Sequence, residues 1–173
     1  MFKRLLLLLL VAAVAFGAAK IAGPARVDAP GGSLQVLEVR GQVALVRDGG
    51  ASRLEAYASL REGDRVETRE DGEVAFVLDD EATFRLQPRS ALNVVAVGAN
   101  ALTLSLDDGL LEATVRSSRP VRVTGGERSV VLTDGEARFG RQGGVFQVEA
   151  IEGGLRVEGE QGGPLTAGQQ AVL

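Results

Sequence analysis

The amino-acid sequence predicts an all-β domain made of short antiparallel strands and tight turns, preceded by a hydrophobic N-terminal helix. From residue 34 onward, apolar and polar residues alternate in short runs, which is the pattern of half-buried strands. Asp-Gly and Gly-Gly pairs separate those runs, and no stretch after residue 30 has the 3.6-residue period of a helix. The same pattern is typical of a β-sandwich and of a β-roll or solenoid-like domain, and no strict repeat decides between them.

The hydrophobic N-terminal segment predicts export. A positive pair, Lys3 and Arg4, precedes an uninterrupted apolar run at residues 5–19 that ends in small residues. This is the arrangement of a signal peptide, which we place at residues 1–19. The alternative is an uncleaved anchor that extends to about residue 25, since a membrane-spanning helix takes roughly 20 apolar residues. The expected location is periplasmic or secreted, or anchored in the inner membrane and facing the periplasm.

A linker and a β domain follow this segment. Residues 20–33 are rich in Pro, Gly and Ala, which indicates a linker, and residues 34–173 form the predicted domain. The predicted strands are residues 34–40, 42–47, 73–78, 83–87, 102–106, 121–124, 129–133, 145–151 and 155–159. The predicted turns include Asp48-Gly49-Gly50, Asp71-Gly72, Asp79-Asp80, Asp108-Gly109, Gly125-Gly126, Asp134-Gly135, Gly143-Gly144 and Gly153-Gly154.

Two of these turns open nearly identical segments. The sequence DGEVAF occupies residues 71–76 and DGEARF occupies residues 134–139. An Asp-Gly pair suits a type I′ turn, because both central residues need positive φ. We therefore expect shared hairpin chemistry at the two places, without inferring that one segment is a duplicate of the other.

The composition excludes several classes of function. The chain of 173 residues has no His and no Cys, which removes histidine-based acid–base catalysis in its usual forms, thiolate metal sites and disulfides. The net charge is −4, and no basic stripe with interleaved aromatic residues is present, so nucleic-acid binding is not expected. We predict no cofactor, no resident metal and no catalytic residue, and hence a protein that is not an enzyme.

The carboxylates crowded between residues 62 and 81 leave three interpretations open. We interpret most of them as solvated turn and strand residues, with Asp71-Gly72 as a hairpin turn and Glu73 and Arg85 facing solvent, where they can pair across strands. A hydrolase would need two carboxylates held across a cleft, and sequence spacing alone does not exclude that. Calcium would need six to eight oxygen ligands, and no calcium-binding loop pattern is present, although Asp79-Asp80-Glu81 or Asp107-Asp108 would hold an ion loosely.

The order of the motifs resembles the FecR domain family. The run LREGDRVETREDGEVAFVLDDEATFRLQPRSALNV is similar to the central pattern of that family, with a Val-x-Gly-x-Val segment upstream and a Leu-x-x-Gly-Gln ending downstream. The resemblance covers about residues 36–173. Two features depart from the family pattern: Asp80 stands where a glycine is usual, and the Gly-Thr-x-Phe element is absent. The residues that carry the resemblance, which we expect to be structural, are Gly41, Leu60, Gly63, Asp64, Thr68, Asp71, Gly72, Pro88, Gly109, Gly153, Gly168 and Gln169.

This resemblance implies a non-catalytic domain that binds another envelope protein, with envelope sensing as the expected setting. The best-known members are inner-membrane regulators with a cytoplasmic part that controls a sigma factor and a periplasmic part that responds to a TonB-dependent transporter. Only about four residues precede the apolar run here, so we expect a stand-alone exported form that does not contact a sigma factor. The implied partner is an envelope protein such as a TonB-dependent transporter or a membrane regulator, and the inner membrane is a partner only if the leader is uncleaved. The alternative is a structural or glycan-binding and peptidoglycan-binding module, which the low aromatic content disfavours.

Overall fold

The computed structural model describes residues 33–159 and 162–173, and within those ranges the chain is entirely β. The all-β prediction is confirmed. The predicted signal peptide and hydrophobic helix, with most of the linker, lie outside the described residues. No helix in the described ranges is long and apolar enough to cross a membrane.

Thirteen strands form the described structure. They are β1 (Leu34–Arg40), β2 (Val43–Arg47), β3 (Gly50–Arg53), β4 (Ser59–Leu60), β5 (Arg65–Thr68), β6 (Glu73–Leu78), β7 (Ala82–Leu86), β8 (Ala91–Val97), β9 (Leu102–Gly125), β10 (Arg128–Gln142), β11 (Val145–Glu158), β12 (Pro164–Thr166) and β13 (Gln170–Val172). Every pairing between them is antiparallel.

The strands belong to one sheet that curls into a half-barrel. Its main path runs β3-β2-β5-β8-β9-β7-β6-β1-β4. Strand β9 holds the path together, because its first part pairs with β8 and its middle part pairs with β7. Two four-stranded layers therefore meet on one long strand and enclose a single apolar core. The architecture is thus one curled sheet, in place of the β-sandwich or the β-roll that the sequence pattern leaves open.

Strands β9, β10 and β11 form a long ribbon, and here three of the turn predictions are wrong. Asp108-Gly109, Asp134-Gly135 and Gly153-Gly154 lie inside continuous strands. Gly135 and Gly153 are register partners beside a bulge, where a Cβ on Gly135 would lie 2.1 Å from the Glu152 carbonyl oxygen. These glycines allow two backbones to approach closely at a bend, so the same residue types that mark turns elsewhere mark bulges here.

The Asp71-Gly72 prediction is also wrong in one respect. The pair is a turn, but it does not form a hairpin, because β5 pairs with β2 and β8 whereas β6 pairs with β1 and β7. It carries the chain from one layer to the other. Asp79-Asp80, in contrast, is the predicted hairpin turn: φ is 45° and 61° at the two residues, and the flanking residues Leu78 and Ala82 are register partners.

The core is built from aliphatic residues and two phenylalanine pairs. Phe76 and Phe84 face each other on β6 and β7 with ring centroids 5.1 Å apart, and Phe139 and Phe146 stack within the ribbon at 6.4 Å. All four rings are fully buried. The layer of β6 and β7 and the ribbon of β10 and β11 thus each have a stacked aromatic pair, of the kind that contributes stability beyond simple burial.

Candidate functional site

Asp64 is the most buried charged residue of the described chain, and it was not expected to be. Its carboxylate receives two hydrogen bonds of 2.6 Å from the Arg47 guanidinium and one of 2.8 Å from the Arg61 backbone N–H. Burial alone would raise the pKa of Asp64, but these donors and the charge of Arg47 together hold the pKa below its ordinary value. The pair fastens the end of β2 to the turn before β5.

A second buried polar group joins β5, β8 and β9. The Thr68 hydroxyl donates to the Gln87 carbonyl oxygen at 2.7 Å and accepts from the Ser90 backbone N–H at 2.8 Å. The Ser90 hydroxyl accepts from the Leu110 backbone N–H at 3.0 Å. Gly109 lies directly over this hydroxyl: a Cβ there would stand 2.0 Å from the Ser90 oxygen, and φ is +90°. Only glycine fits this position.

The other predicted motif residues also have defined contacts in the described structure. Gly41 and Gly72 lie where the β1–β2 turn crosses the link to β6, and a Cβ on Gly41 would lie 2.0 Å from the Asp71 carbonyl oxygen. Leu60 is buried opposite Leu34. Near the C-terminus the chain turns through Gly168, and Gln169 accepts hydrogen bonds from the Thr166 N–H and hydroxyl while its backbone carbonyl accepts from the Ala150 N–H. Gly63 precedes Asp64, has φ of +87° and donates its N–H to the Val94 carbonyl oxygen.

Two of the twelve motif residues, Pro88 and Gly109, line a groove on the outer face of the ribbon. This groove has a volume of about 560 Å³ and continues into a second hollow of about 200 Å³. The two hollows share Leu110, Gly140 and Gln147. Most of the motif residues thus make contacts within the fold, and two of them border this groove.

The floor of the groove follows one row of register partners. Leu110 on β9 is opposite Gly140 on β10, Gly140 is opposite Gln147 on β11, and Gln147 is opposite Val172 on β13. Gly140 sits in the middle of this row without a side chain, so the surface dips there. A Cβ on Gly140 would lie 3.9 Å from Leu110 Cδ1 and 4.0 Å from Gln147 Cβ, which is ordinary contact. The glycine therefore leaves open space at this position, and its backbone conformation does not require a glycine.

A ladder of charged residues borders one side of the groove. Arg138 pairs with Glu112 at 3.2 Å and with Glu149 at 3.1 Å, and Gln170 donates to Glu149 at 3.1 Å. Arg85 contacts Glu73 on the neighbouring strand, which is a cross-strand ion pair of the kind expected among these solvent-facing residues. Two exposed valines also line the groove: Val172, exposed to 71%, at the end of the floor row, and Val145 beside Gln142. The groove thus combines these apolar side chains with a row of paired charges.

At the other end of the groove, an acidic residue is held in place by the bulge between β8 and β9. Asp107 has no register partner there and contacts the Arg65 guanidinium, while Asn93 donates to it at 2.9 Å. Burial would raise the pKa of Asp107, but the hydrogen bonds from Arg65 and Asn93 and the charges of Arg65 and Arg141 lower it. Asp107 stays ionised and orients Arg141, which lines the groove.

The acidic residues do not gather into a metal site within the described chain. No group of three or more His, Cys, Asp or Glu side chains is placed to share an ion there. Asp79 accepts from the Ser33 N–H and from Arg119, and Glu81 accepts from Ser117. Among the carboxylates proposed as loose calcium ligands, Asp79, Glu81 and Asp107 thus have protein partners.

Sequence reasoning missed Gly140, Gln147 and Val172 as groove residues. Nothing in the local sequence separates Gly140 from the turn glycines around it, and the three residues come together only through the register of β10, β11 and β13. The signal that was available is weaker: Gly140 follows Phe139 in a strand with inward-facing apolar residues, where glycine often marks close approach of another chain.

Solved structures of another protein are similar to this fold. Two crystal structures of a candidate anti-sigma factor from Parabacteroides distasonis, at 2.50 Å and 1.65 Å, are similar to it with a TM-score of 0.55 in both cases and sequence identities of 13% and 12%. Each similarity covers 63% of this chain and 54% of the other, so the chain matches about half the length of these neighbours. At this identity the likeness concerns the fold. No curated protein matches the chain.

A family model matches a larger share of the sequence itself. The model for FecR protein matches residues 64–157, which is just over half of the 173 residues. The matched stretch includes Asp64, Thr68, the Asp71-Gly72 turn, Pro88, Gly109 and Gly153; it begins after Gly41, Leu60 and Gly63 and ends before Gly168 and Gln169. Three of the groove strands, β9, β10 and β11, fall almost wholly within the match, whereas β13 lies beyond it. The chain belongs to the FecR family.

Proposed function

We propose that this protein is an exported, non-catalytic FecR-family domain that binds another protein of the cell envelope and takes part in envelope sensing. The observation that carries the proposal is the groove across Leu110, Gly140, Gln147 and Val172, bordered by the family residues Pro88 and Gly109. Two residues of the family motif thus border a surface that a partner can occupy.

The chemistry of the groove suits a protein ligand. Exposed Val145 and Val172 provide apolar contact, and Gln142 and Gln147 provide hydrogen-bonding groups without net charge. Protein interfaces combine an apolar centre with a polar rim in this way. The paired Arg138 fixes the rim, so little side-chain freedom is lost when a partner binds.

The export part of the proposal rests on the N-terminal sequence. Lys3 and Arg4 followed by the apolar residues 5–19 have the pattern of a secretion signal. An envelope location brings the domain near the kind of partner that the FecR family suggests, namely a TonB-dependent transporter or a membrane-bound regulator. The neighbours described as anti-sigma factors support a regulatory role in the same sense.

The experiment is site-specific photo-crosslinking in the native host. A photoreactive amino acid replaces Gln147 or Asp108, which line the groove, and Glu127 in the exposed turn at the far end of the ribbon serves as the matched control. We expect one envelope protein to be crosslinked from the two groove positions and not from residue 127. Equal yields at all three positions, or recovery of wall polymer instead of a protein, would contradict the proposal.

A further inference from the structure

A second surface lies at the far edge of the sheet, distant along the strand order from the groove. Strand β3 is the terminal strand of the main path and pairs only with β2. Its four residues, Gly50–Arg53, are all exposed and three of them are small. An uncovered strand edge offers unpaired backbone groups to another extended chain.

The register of β3 identifies which backbone groups are available. The Leu54 N–H donates to the Val43 carbonyl oxygen, so residue 54 is hydrogen-bonded to β2. Hydrogen bonding alternates along an antiparallel pair, and Arg53 and Ala51 are the next two odd-numbered positions on β3. The N–H and C=O groups of Ala51 and Arg53 therefore point away from β2, toward the open edge.

The surface beside this edge is positively charged. A hollow of about 370 Å³ is lined by Arg53 and Arg69 together with Gln42, Ala44, Ala51 and Ser52, and no acidic residue is among its lining residues. Most arginines of the described chain have a carboxylate partner, but neither Arg53 nor Arg69 forms a salt bridge with any described residue. In a chain of net charge −4, two unpaired guanidinium groups over one hollow form a local site for negative charge.

We infer that β3 is a docking edge for an extended, acidic segment of another protein, which adds as a strand beside Ala51 and Arg53 and places carboxylates against Arg53 and Arg69. Backbone hydrogen bonds supply the pairing, and the two arginines select acidic side chains at alternating positions of the added strand. No residue lines both this hollow and the proposed groove, although Arg69 shares a third hollow with the groove residues Arg89 and Asp108.

The test uses a random decapeptide library displayed on phage and panned against the protein purified after expression of the full chain. Enriched peptides are expected to carry Asp or Glu at alternating positions among β-forming residues. Their affinities are then measured by fluorescence anisotropy, and amide exchange is expected to slow at Ala51 and Arg53 when peptide is bound. Raising the salt concentration is expected to weaken binding, because the contacts are partly ionic.

Three variants make the test specific. The double charge reversal Arg53→Glu with Arg69→Glu should weaken peptide binding about tenfold or more, as expected when hydrogen bonds between charged groups are lost. Ala51→Pro removes an N–H that β2 does not use, so the fold should persist while binding falls. If the charge-reversed protein is unstable, Arg53→Ala with Arg69→Ala takes its place. Gly140→Trp, in the groove, should leave peptide binding unchanged.

The outcomes separate this inference from the proposed function. Enrichment of peptides without acidic residues, absence of any enriched peptide, or unchanged affinity in the charge-reversed protein would overturn the docking edge. Loss of binding in Gly140→Trp alone would place the peptides in the groove and would likewise overturn it, while leaving the proposed function intact. Peptide binding at β3 combined with no crosslinking at Gln147 would reject the groove and retain the edge.

Discussion

The segments DGEVAF, at residues 71–76, and DGEARF, at residues 134–139, begin with the same three residues but fold differently. The first is a turn that crosses between layers and opens β6, whereas the second is a bulge in the middle of β10. Each places its phenylalanine, Phe76 or Phe139, in the core. The shared pattern thus specifies which residues point inward, and the neighbouring strands decide whether Asp-Gly becomes a turn or a bend.

The regions around the two segments also differ in how they use charge. The three buried polar or charged side chains of the described residues, Asp64, Thr68 and Ser90, all precede the ribbon in the chain. Around the second segment the charges are on the surface, as in the ladder through Arg138. The first region is joined by buried polar contacts and the second mainly by backbone pairing and apolar packing.

The largest expected effect concerns the feature that the two segments share. Phe76→Ala and Phe139→Ala should each lower the free energy of unfolding by about 3–5 kcal/mol, because each leaves a cavity in a packed core. Denaturant unfolding followed by circular dichroism measures both, with Phe→Leu at each position as the conservative control. A large loss for Phe76→Ala and almost none for Phe139→Ala would show that the ribbon does not share the core of the first region.

The next prediction concerns the buried charge of the first region. Asp64→Asn should cost roughly 3 kcal/mol, as expected when a buried ion pair is broken, and less if the partly exposed Arg47 is rehydrated. Because the pKa of Asp64 is lowered in the folded protein, its contribution is present above the ordinary aspartate pKa and is lost as the pH falls through the folded value.

The pH dependence gives this prediction its control. The difference in stability between the native protein and Asp64→Asn should be constant near neutral pH and should shrink below about pH 4. Thermal unfolding between pH 3 and pH 7, with Arg138→Gln as a matched surface variant, makes the comparison. A difference that persists unchanged in acid would mean that the Asp64 carboxylate is not the stabilising form.

A smaller effect should separate the turn from the bulge. Gly135→Ala and Gly72→Ala both bring a Cβ within 2.3 Å of a backbone carbonyl oxygen, but only Gly135 has positive φ, at +126°. We expect a loss of about 1–3 kcal/mol at each position, with the greater loss at Gly135, where strain adds to the clash. Equal stability of native protein and Gly135→Ala would show that the bulge relaxes.

The smallest effect is predicted on the outer surface of the second segment. Arg138→Ala should change stability by less than about 1 kcal/mol, since both of its ion pairs are partly exposed. Arg138→Lys provides the control for charge. If Arg138→Ala destabilised the protein as much as Asp64→Asn, the contrast between a buried polar network and a surface ladder would be wrong.

Local patterns predicted the parts of the fold that depend on local chemistry. Alternation predicted all-β structure, and the tolerance of Asp for positive φ predicted the Asp79-Asp80 turn. The turns predicted at Asp108-Gly109 and Gly153-Gly154 were wrong because a glycine at a bulge has the same local signature as a glycine at a turn. Asp64 was among the family-motif residues expected to be structural, but its burial against Arg47 was not predicted.

The candidate site was beyond sequence reasoning for a different reason. Gly140, Gln147 and Val172 are of different residue types and lie on three different strands. Only the register of β10, β11 and β13 brings them together. Arg53 and Arg69 could not be recognised as a site from the sequence either, because a lack of carboxylate partners is visible only when the neighbouring residues are placed. Surfaces formed between strands depend on pairing, which periodicity does not specify.

The most direct measurement is the affinity of the crosslinked envelope protein for Gly140→Trp and for Gly154→Trp. Both glycines lie in ribbon strands without positive φ and with room for a Cβ, but Gly154 lies outside the groove. The account predicts that Gly140→Trp fills the groove and weakens binding at least about tenfold, whereas Gly154→Trp binds like the native protein. Native affinity in Gly140→Trp, with the fold intact, would contradict the claim that this FecR-family domain binds its partner through the groove.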